Sequence, residues 1–347
     1  MSGHPFKLGT FASAGRRFAG VVMDDRVIDL AAVHPHFAKS SGARSGVLSD
    51  PGSVLGLLQD WDRNFPVLQA IAAFITKQGT GDDPAKSAAH RLDALRVLPP
   101  IIRPPKLLYA AANYREHVAG MRKTFRNGLP TIEPSKDYQA DKTTSEAYLF
   151  FKGNNCLSGA YDDVILPEGV DRIDWEAELA VVIGRQGKNI PASKAMGHVA
   201  GFMTTNDISA RSRTWRLDRP SIRSDWMGGK SYDTFAPMGP FFVPAAFVPD
   251  PANLRIWCAV NGVTKQEGNS GDMVFGIEDQ IAYGSKTMTL ESGDAFATGT
   301  PAGTGQERLE FLKEGDVIET EVEGLGRQRN KVVAGSAAYS AGRDAPR

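Results

Sequence analysis

Short β-like runs separated by turn signals dominate the second half of the chain. These runs are three to six residues long and lie at 148–151, 164–166, 178–183, 256–260 and 317–322. Asn261-Gly262 directly follows one of them, and this dipeptide is typical of a two-residue β-hairpin turn. We find few long helical patterns after residue 120. The pattern predicts a β-rich α+β fold, with a barrel, roll or sandwich rather than a doubly wound sheet.

The first hundred residues have a different pattern. Apolar runs at 18–22 and 27–30 flank a polar turn and predict paired strands. Residues 53–77 have helical spacing, with Ser53 as a candidate N-cap and Pro66 as a break between two helices.

Four prolines lie within eight residues after this segment and hold the chain extended. We place a domain boundary there, with a small N-terminal α+β domain at 1–98 and a larger domain at 99–333. Residues 122–146 are polar and without periodicity, so we expect an inserted loop. We expect the small and polar residues 334–347 to form a disordered tail.

Composition excludes several classes of function. Forty Lys and Arg balance forty Asp and Glu, whereas a nucleic-acid binder uses excess positive charge. Two cysteines are too few for a disulfide framework or a Cys-rich zinc site. We find neither a run of 18 apolar residues nor a secretory signal. We therefore expect a cytoplasmic protein that binds neither nucleic acid nor membranes.

Three carboxylates lie in or beside apolar segments. Glu176 and Glu178 precede the apolar residues 179–183, and on a strand they share one face because side chains alternate. Asp207 follows a second stretch of small and apolar residues. An exposed strand with two solvated acids is the alternative, but a strand that continues into a core disfavours it. Oxygen ligands without Cys or clustered His favour Mg²⁺, Mn²⁺ or Ca²⁺ over zinc.

A basic stretch and a glycine-rich turn are candidates for binding an anionic substrate. Six Arg or Lys residues and only two Asp lie between residues 211 and 230. Beside a carboxylate-bound cation they would receive an anion, with a solvated loop as the alternative. Residues 299–305 could present backbone N–H groups and Thr300 to a carboxylate, or form only a tight turn. Neither stretch matches a P-loop or a dinucleotide fingerprint.

Of the six histidines, His117 is the strongest candidate for catalysis. It follows the end of an apolar run and lies next to Glu116, where a loop could deliver it to a site. A structural role is the alternative for any single histidine.

Together, these pieces resemble the fumarylacetoacetate hydrolase family. The resemblance covers residues 105–333, and six motifs in register make it specific. The motifs are Asn113-Tyr114-x-x-His117, Phe151-Lys152-Gly153-x-Asn155, Glu176-x-Glu178-Leu179, Asn206-Asp207-x-Ser209-Ala210-Arg211, Gly229-Lys230-Ser231-x-Asp233-Thr234 and Gly299-Thr300-Pro301-x-Gly303. The resemblance implies a mixed β-sandwich roll behind a small leading domain, usually as a homodimer.

The resemblance also implies a role for each site residue. A divalent cation, Mg²⁺ or else Mn²⁺ or Ca²⁺, would be bound by Glu176, Glu178 and Asp207. His117 would be the general base that activates water, and Lys230 would add a fixed positive charge. The substrate's oxygens would be held by Arg211, Thr300, Tyr114 and Lys152.

The family acts on 2-oxo acids and 1,3-dicarbonyl acids. We expect a catabolic, acylpyruvate hydrolase-like member that cleaves a C–C bond of an acylpyruvate or a fumarylacetoacetate-like acid. The alternative is a lyase or isomerase of the same family: a 2-oxo acid decarboxylase, dienoate isomerase or sugar-acid dehydratase. A binding protein without turnover is a third hypothesis, which the intact metal ligands and Lys230 disfavour.

Two departures from the family pattern bear on hydrolysis. Hydrolytic members commonly have a Glu three residues after the histidine, where this chain has Gly120. Glu116, to which we assign a catalytic role, could replace it, as could Glu133 or Glu146 from the polar insertion. A glutamine three residues after the arginine is also common, and here that residue is Thr214. Both departures weaken the prediction of hydrolysis and leave the metal site intact.

Overall fold

A computed structural model describes residues 4–41, 46–77, 88–125, 141–216, 218–219, 221–222 and 224–335. Within these ranges, no helix has the length and apolar character needed to cross a membrane.

The N-terminal part is an antiparallel sheet with helices packed against it. Its strands are β1 (Lys7–Ser13), β2 (Arg16–Met23), β3 (Arg26–Asp29), β4 (Ala89–Arg91) and β5 (Arg96–Leu98), and its helices are α1 (Leu30–Ser41), α2 (Val54–Leu58) and α3 (Trp61–Lys77). The strand order is β4-β3-β2-β1-β5. α1 packs on β2 and β3, and α2 packs on β1. This part is therefore α+β, as the sequence predicts.

Helix α3 differs from the prediction at Pro66. Ser53 caps α2 as predicted, since its hydroxyl accepts a hydrogen bond from the Gly56 N–H at 3.2 Å. The break between the two helices lies at residues 59–60, however, and Pro66 is inside α3. A proline removes one helical hydrogen bond, but the buried face that includes Leu68 and Ile71 packs into the core and keeps the helix intact.

The larger part contains two sheets and a two-stranded ribbon. Its strands are β6 (Leu107–Ala110), β7 (Leu149–Phe151), β8 (Leu157–Gly159), β9 (Val164–Leu166), β10 (Ile173–Asp174), β11 (Ala177–Ile183), β12 (Val199–Asn206), β13 (Ser209–Ala210), β14 (Ala236–Met238), β15 (Val243–Pro244), β16 (Arg255–Val260), β17 (Val263–Asn269), β18 (Ala295–Ala297), β19 (Val317–Val322) and β20 (Gly326–Ala334). Its helices are α4 (Arg115–Phe125), α5 (Ala192–Ala195), α6 (Trp226–Lys230), α7 (Ile277–Thr287) and α8 (Gly305–Arg308).

The two sheets pack face to face. The eight-stranded mixed sheet has the order β7-β6-β18-β11-β12-β14-β8, with β15 also paired to β12. The five-stranded sheet has the order β17-β16-β19-β20-β9, and β10 pairs with β13 in the ribbon. β11 and β12 contact β16, β19 and β20 across the interface. The predicted β-rich α+β fold with a mixed β-sandwich roll is thus confirmed.

The Asn261-Gly262 turn joins β16 to β17 as predicted. Both residues have positive φ, 52° and 75°, as the predicted hairpin turn requires.

The predicted domain boundary follows β5, and the two parts are in close contact across it. Leu8 and Phe242 exchange two backbone hydrogen bonds of 2.8 Å, and Trp61 packs edge-on against Phe242. The domain division at 98 stays a prediction.

Two predicted irregular segments lie largely outside the described residues. Of the polar insertion at 122–146, residues up to Phe125 continue α4, whereas 126–140 are outside the described residues. Of the predicted tail at 334–347, Ala334 ends β20 and residues 336–347 are outside the described residues.

Candidate metal and substrate site

Antiparallel pairing of β11 and β12 brings three carboxylates together. The register places Ala177 opposite Asn206, so Glu176, just before β11, lies beside Asp207, just after β12. The Asp207 N–H donates to the Glu176 carbonyl oxygen at 2.8 Å. Glu178 follows two residues after Glu176, and all three carboxylates are buried.

These three carboxylates fit a divalent cation. One oxygen from each of Glu176, Glu178 and Asp207 lies within 4.8 Å of the others. Within the described residues, the buried Oε1 of Glu178 has no hydrogen-bond partner, and such an atom is costly unless a ligand satisfies it. An all-oxygen donor set is the one that Mg²⁺, Mn²⁺ and Ca²⁺ prefer. The triad is therefore a candidate divalent-cation site.

The ionisation of the triad differs from residue to residue. Burial, together with the charges of Asp207 and Glu176, raises the pKa of Glu178 well above its usual value. Burial has the same tendency at Glu176, but Arg211 and Lys230 outweigh it and hold the pKa of Glu176 well below its usual range. A cation would remove the repulsion that Glu178 experiences.

Lys230 bridges two of the metal ligands. Its Nζ donates to Glu176 Oε2 at 2.7 Å and to Asp207 Oδ2 at 2.6 Å. Burial works against the Lys230 charge, but Asp207 and Glu176 outweigh it and raise the pKa of Lys230. Lys230 therefore stays a positive charge beside the three carboxylates.

All three hydrogen-bond donors of the Lys152 ammonium group bond to oxygens of the protein. Its Nζ donates to Asp207 Oδ1 at 2.6 Å, to the Phe235 carbonyl at 2.6 Å and to the Ile208 carbonyl at 3.2 Å. An ammonium group has three donors, so none is left for a substrate. This arrangement orients a metal ligand, in place of the substrate contact that the sequence predicts for Lys152.

Replacing Lys152 by Met should destabilise the protein strongly. The change leaves Asp207 Oδ1 buried beside two carbonyl groups without a donor, and breaking such a buried pair costs roughly 3–5 kcal/mol. Urea unfolding without divalent cation measures the loss. Lys142→Met, which removes an exposed pair with Asp279, is the control and should change stability by less than about 0.5 kcal/mol. Equal effects of the two changes would contradict the role of Lys152.

The other predicted substrate-binding groups differ in whether they have a hydrogen-bond donor available for a substrate. Arg211 donates to Glu176 and, at 2.8 Å, to Asp174. The Thr300 hydroxyl donates to the Ala177 carbonyl at 2.9 Å, so it cannot donate to a substrate at the same time. Within the described residues, the buried Tyr114 hydroxyl has no partner, and burial together with Glu178 raises its pKa. The Tyr114 hydroxyl is therefore free to donate, and Arg211 has further N–H groups besides the two that bond to carboxylates.

The partner of His117 is a residue that the sequence does not reveal. His117, on the first turn of α4, is buried, and its Nδ1 lies 2.5 Å from Glu307 Oε1 on α8. The structure gives the histidine this partner instead of the three predicted acids. Glu116 is exposed, Glu146 accepts from Lys286 at the surface, and Glu133 lies outside the described residues.

Gly120 provides the space for this contact. A Cβ atom at residue 120 would lie 2.5 Å from Glu307 Oε2 and 2.8 Å from its carboxyl carbon. The position at which the family commonly has a Glu is therefore filled by the Glu307 carboxylate from another helix. The absence of an acid at Gly120 does predict a compensating acid elsewhere, but it does not indicate residue 307.

Replacing Gly120 by Ala should separate stability from activity. Alanine is a better helix former than glycine by about 1 kcal/mol, which offsets the roughly 1 kcal/mol lost with the Glu307–His117 contact, so unfolding in urea should occur at a similar denaturant concentration. The added methyl group displaces Glu307 from His117, and we expect kcat to fall by roughly tenfold to a hundredfold. Parallel urea and kinetic measurements test this. A variant that keeps wild-type kcat would contradict the conclusion that Gly120 leaves room for the Glu307–His117 contact.

Asn113, from the first motif, and Gln266, which lies outside the motifs, support the site. Asn113 bonds to the carbonyls of Phe275 and Thr298 and thereby fixes the start of α4. Gln266 donates to Thr300 and accepts from the Ala177 N–H at 3.0 Å, which joins the glycine-rich turn to β11. Neither role is visible in the sequence.

Comparison with known proteins decides the family. The model for the Fumarylacetoacetate (FAA) hydrolase C-terminal family matches residues 106–333. The chain belongs to the fumarylacetoacetate hydrolase family. This membership confirms the resemblance that the six motifs carry, and it makes the chain an enzyme of this family.

Relatives in the fumarylacetoacetate hydrolase family carry out different reactions. Oxaloacetate tautomerase FAHD2A, mitochondrial, from Homo sapiens is 36% identical over 321 residues, which are 89% of this chain and 92% of the relative. The structure of maleylpyruvate hydrolase from Sphingobium sp. SYK-6 in complex with manganese(II) ion and pyruvate has a TM-score of 0.68 and 27% identity, covering 95% of this chain and 99% of that chain. Fumarylacetoacetate hydrolase from psychrophilic Exiguobacterium antarcticum has a TM-score of 0.68 and 28% identity, covering 95% and 99%.

Proposed function

We propose that this enzyme interconverts the keto and enol tautomers of a 2-oxo dicarboxylic acid such as oxaloacetate, with Mg²⁺ as its cation. The observation that carries the proposal is the buried carboxylate triad beside Lys230. When the four carboxylates of Asp174, Glu176, Glu178 and Asp207 are all ionised, they oppose the charges of Lys152, Lys230 and Arg211 and leave one excess negative charge. A bound dication would reverse this to one excess positive charge, which suits an anionic substrate.

Each residue of the site has a separate role in the transfer of one proton. When bound, a divalent cation supplies Lewis acidity that stabilises negative charge developing on the 2-oxo oxygen of the substrate. Lys230 adds a fixed positive charge at the same place. The Nδ1–H of His117 donates to Glu307, which leaves Nε2 to take the proton from the carbon next to the oxo group and to return it to the 2-oxo oxygen, which completes the enol. Tyr114 and Arg211 hold the substrate's oxygens.

The similarity to a named tautomerase favours this reaction. The human relative of 36% identity is an oxaloacetate tautomerase, whereas the named hydrolases of known structure are 27% and 28% identical. Tautomerisation needs only a base and stabilisation of negative charge, and the site has both. Tautomerisation is an isomerase reaction, and an isomerase of this family is among the alternatives that the sequence leaves open.

Hydrolysis of the C–C bond of an acylpyruvate is the second candidate. The His117–Glu307 pair favours it, since an oriented histidine can activate water for attack on a carbonyl group. Glu307 also supplies the acid that is missing at Gly120. The cation and Lys230 would then stabilise the departing enolate.

Substrate conversion with and without cation tests the proposed function. The protein is mixed with enol-oxaloacetate, acetylpyruvate or fumarylpyruvate in Mg²⁺ or EDTA, and Mg²⁺ without protein measures the background. Loss of enol absorbance above background supports tautomerisation. Release of pyruvate and a carboxylic acid from an acylpyruvate supports hydrolysis, and pyruvate with CO₂ from oxaloacetate supports a decarboxylase. No conversion above background would contradict the proposal.

We also propose a homodimer in the cytoplasm, as the sequence predicts. Sedimentation equilibrium at several concentrations measures the mass, and a monomer at all concentrations would contradict the dimer.

A further inference from the structure

Asp174 is a fully buried carboxylate to which the reaction gives no role. It ends β10, two residues before the metal ligand Glu176, and its side chain has no solvent exposure. A buried carboxylate requires compensating donors. Besides the Trp175 N–H, which donates to Oδ1 at 2.7 Å, Asp174 obtains them from two separate parts of the site.

The first donor is the arginine expected to receive the substrate. β10 pairs with β13, and Asp174 lies opposite Ser209 in that ribbon. Arg211 follows β13, and its Nε donates to Asp174 Oδ2 at 2.8 Å while another nitrogen donates to Glu176. Asp174 and Glu176 together therefore fix the plane of the Arg211 guanidinium.

The second set of donors belongs to α8. The Gly305 N–H donates to Asp174 Oδ1 at 2.5 Å, and the Gln306 N–H donates to Oδ2 at 3.0 Å. A Cβ atom at Gly305 would lie 2.7 Å from Asp174 Oδ1, so the glycine permits this close approach. The residue after Gln306 is Glu307, which holds His117.

We infer that Asp174 is a positioning residue that fixes Arg211 and the His117–Glu307 pair relative to each other. The inference rests on the proposed function for the use of these groups. A carboxylate binds both partners because its two oxygens accept from α8 and Arg211 at once. Each oxygen of Asp174 accepts from one N–H of α8, so the amide nitrogen of an asparagine displaces α8 in either orientation, and it also displaces Arg211 when it takes the place of Oδ2.

Proton NMR tests this inference without any substrate. A downfield resonance from the His117 Nδ1–H that donates to Glu307 is expected in the full-length wild-type protein and is assigned by its loss in Glu307→Gln. We expect Asp174→Asn to abolish or broaden it. Arg211→Lys leaves the contacts between Asp174 and α8 in place and should keep the resonance. Asp171→Asn, an exposed change in the same segment, is the control for folding.

Kinetics with a 2-oxo acid substrate give the second readout. Asp174→Asn should lower kcat by about tenfold or more and also raise KM, whereas Arg211→Lys should act mainly on KM. The double variant Asp174→Asn/Glu307→Gln should have the kcat of Glu307→Gln alone, because both changes act on the same pair. If Asp174→Asn does not fold, Asp174→Glu keeps the negative charge but displaces both oxygens from α8 and Arg211, and it should abolish the same resonance.

The outcomes separate this inference from the proposed function. A resonance that survives in folded Asp174→Asn, or an effect on kcat that adds in full to that of Glu307→Gln, would overturn it. So would a wild-type protein that lacks the resonance. A resonance that responds as expected in a protein without turnover of 2-oxo acids would support the positioning role and contradict only the proposed reaction.

Discussion

Replacing Glu178 by Gln abolishes divalent-cation binding and activity while the protein stays folded. The change removes a ligand whose Oε1 has no partner among the described residues, and it keeps an oxygen to accept from the Gly299 N–H. It also removes the repulsion between Glu178 and Asp207, which together with burial raises the pKa of Glu178. We therefore expect the cation-free variant to be at least as stable as the wild type at neutral pH.

Calorimetric titration and thermal unfolding measure these effects. At 100 times its dissociation constant, Mg²⁺ should stabilise the wild type by about 2.7 kcal/mol and leave Glu178→Gln unchanged. Asp207→Ala should also lose the cation, but it deprives Lys152 and Lys230 of a partner and should unfold more easily. Cation binding of wild-type strength in Glu178→Gln would contradict the metal site.

Replacing Glu307 by Gln lowers kcat by about 10²- to 10⁴-fold and leaves cation binding intact. The carboxylate accepts the Nδ1–H of His117, whereas a glutamine amide can donate to Nδ1 and move the proton to Nε2. The histidine would then lack the free Nε2 that acts as the base. The variant should resemble His117→Ala, which we expect to bind the cation normally.

Steady-state kinetics together with cation titration test this prediction. Glu116→Gln is the matched control, since Glu116 is an exposed acid next to His117, and its kcat should equal that of the wild type. A large loss in Glu116→Gln with normal kcat in Glu307→Gln would restore the partner that the sequence predicts.

The sequence predicts the metal ligands because they follow local rules. Alternation along a strand places Glu176 and Glu178 on one face, and apolar neighbours show that this face is buried. Asp207 is recognised as the acid of a second motif. The antiparallel register that brings it to Glu176 is a pairing over some thirty residues, which only the structure shows.

The partner of His117 follows from no local rule. Glu307 is 190 residues away in sequence and lies on a helix of four residues, which has no periodic pattern. A search confined to acids near His117 therefore leads to Glu116. Lys152 is misassigned for a related reason, since a motif gives the residue type and the structure gives its three acceptors.

Deuterium incorporation next to the oxo group of oxaloacetate, the proposed substrate, tests the central claim most directly. Proton NMR in D₂O with Mg²⁺ follows the exchange for the wild type, Glu178→Gln, His117→Ala and a protein-free control. Proton abstraction by His117 beside a bound cation predicts rapid exchange with the wild type and exchange at the protein-free rate with both variants. Equal rates for the wild type and Glu178→Gln would contradict metal-assisted proton transfer at this site.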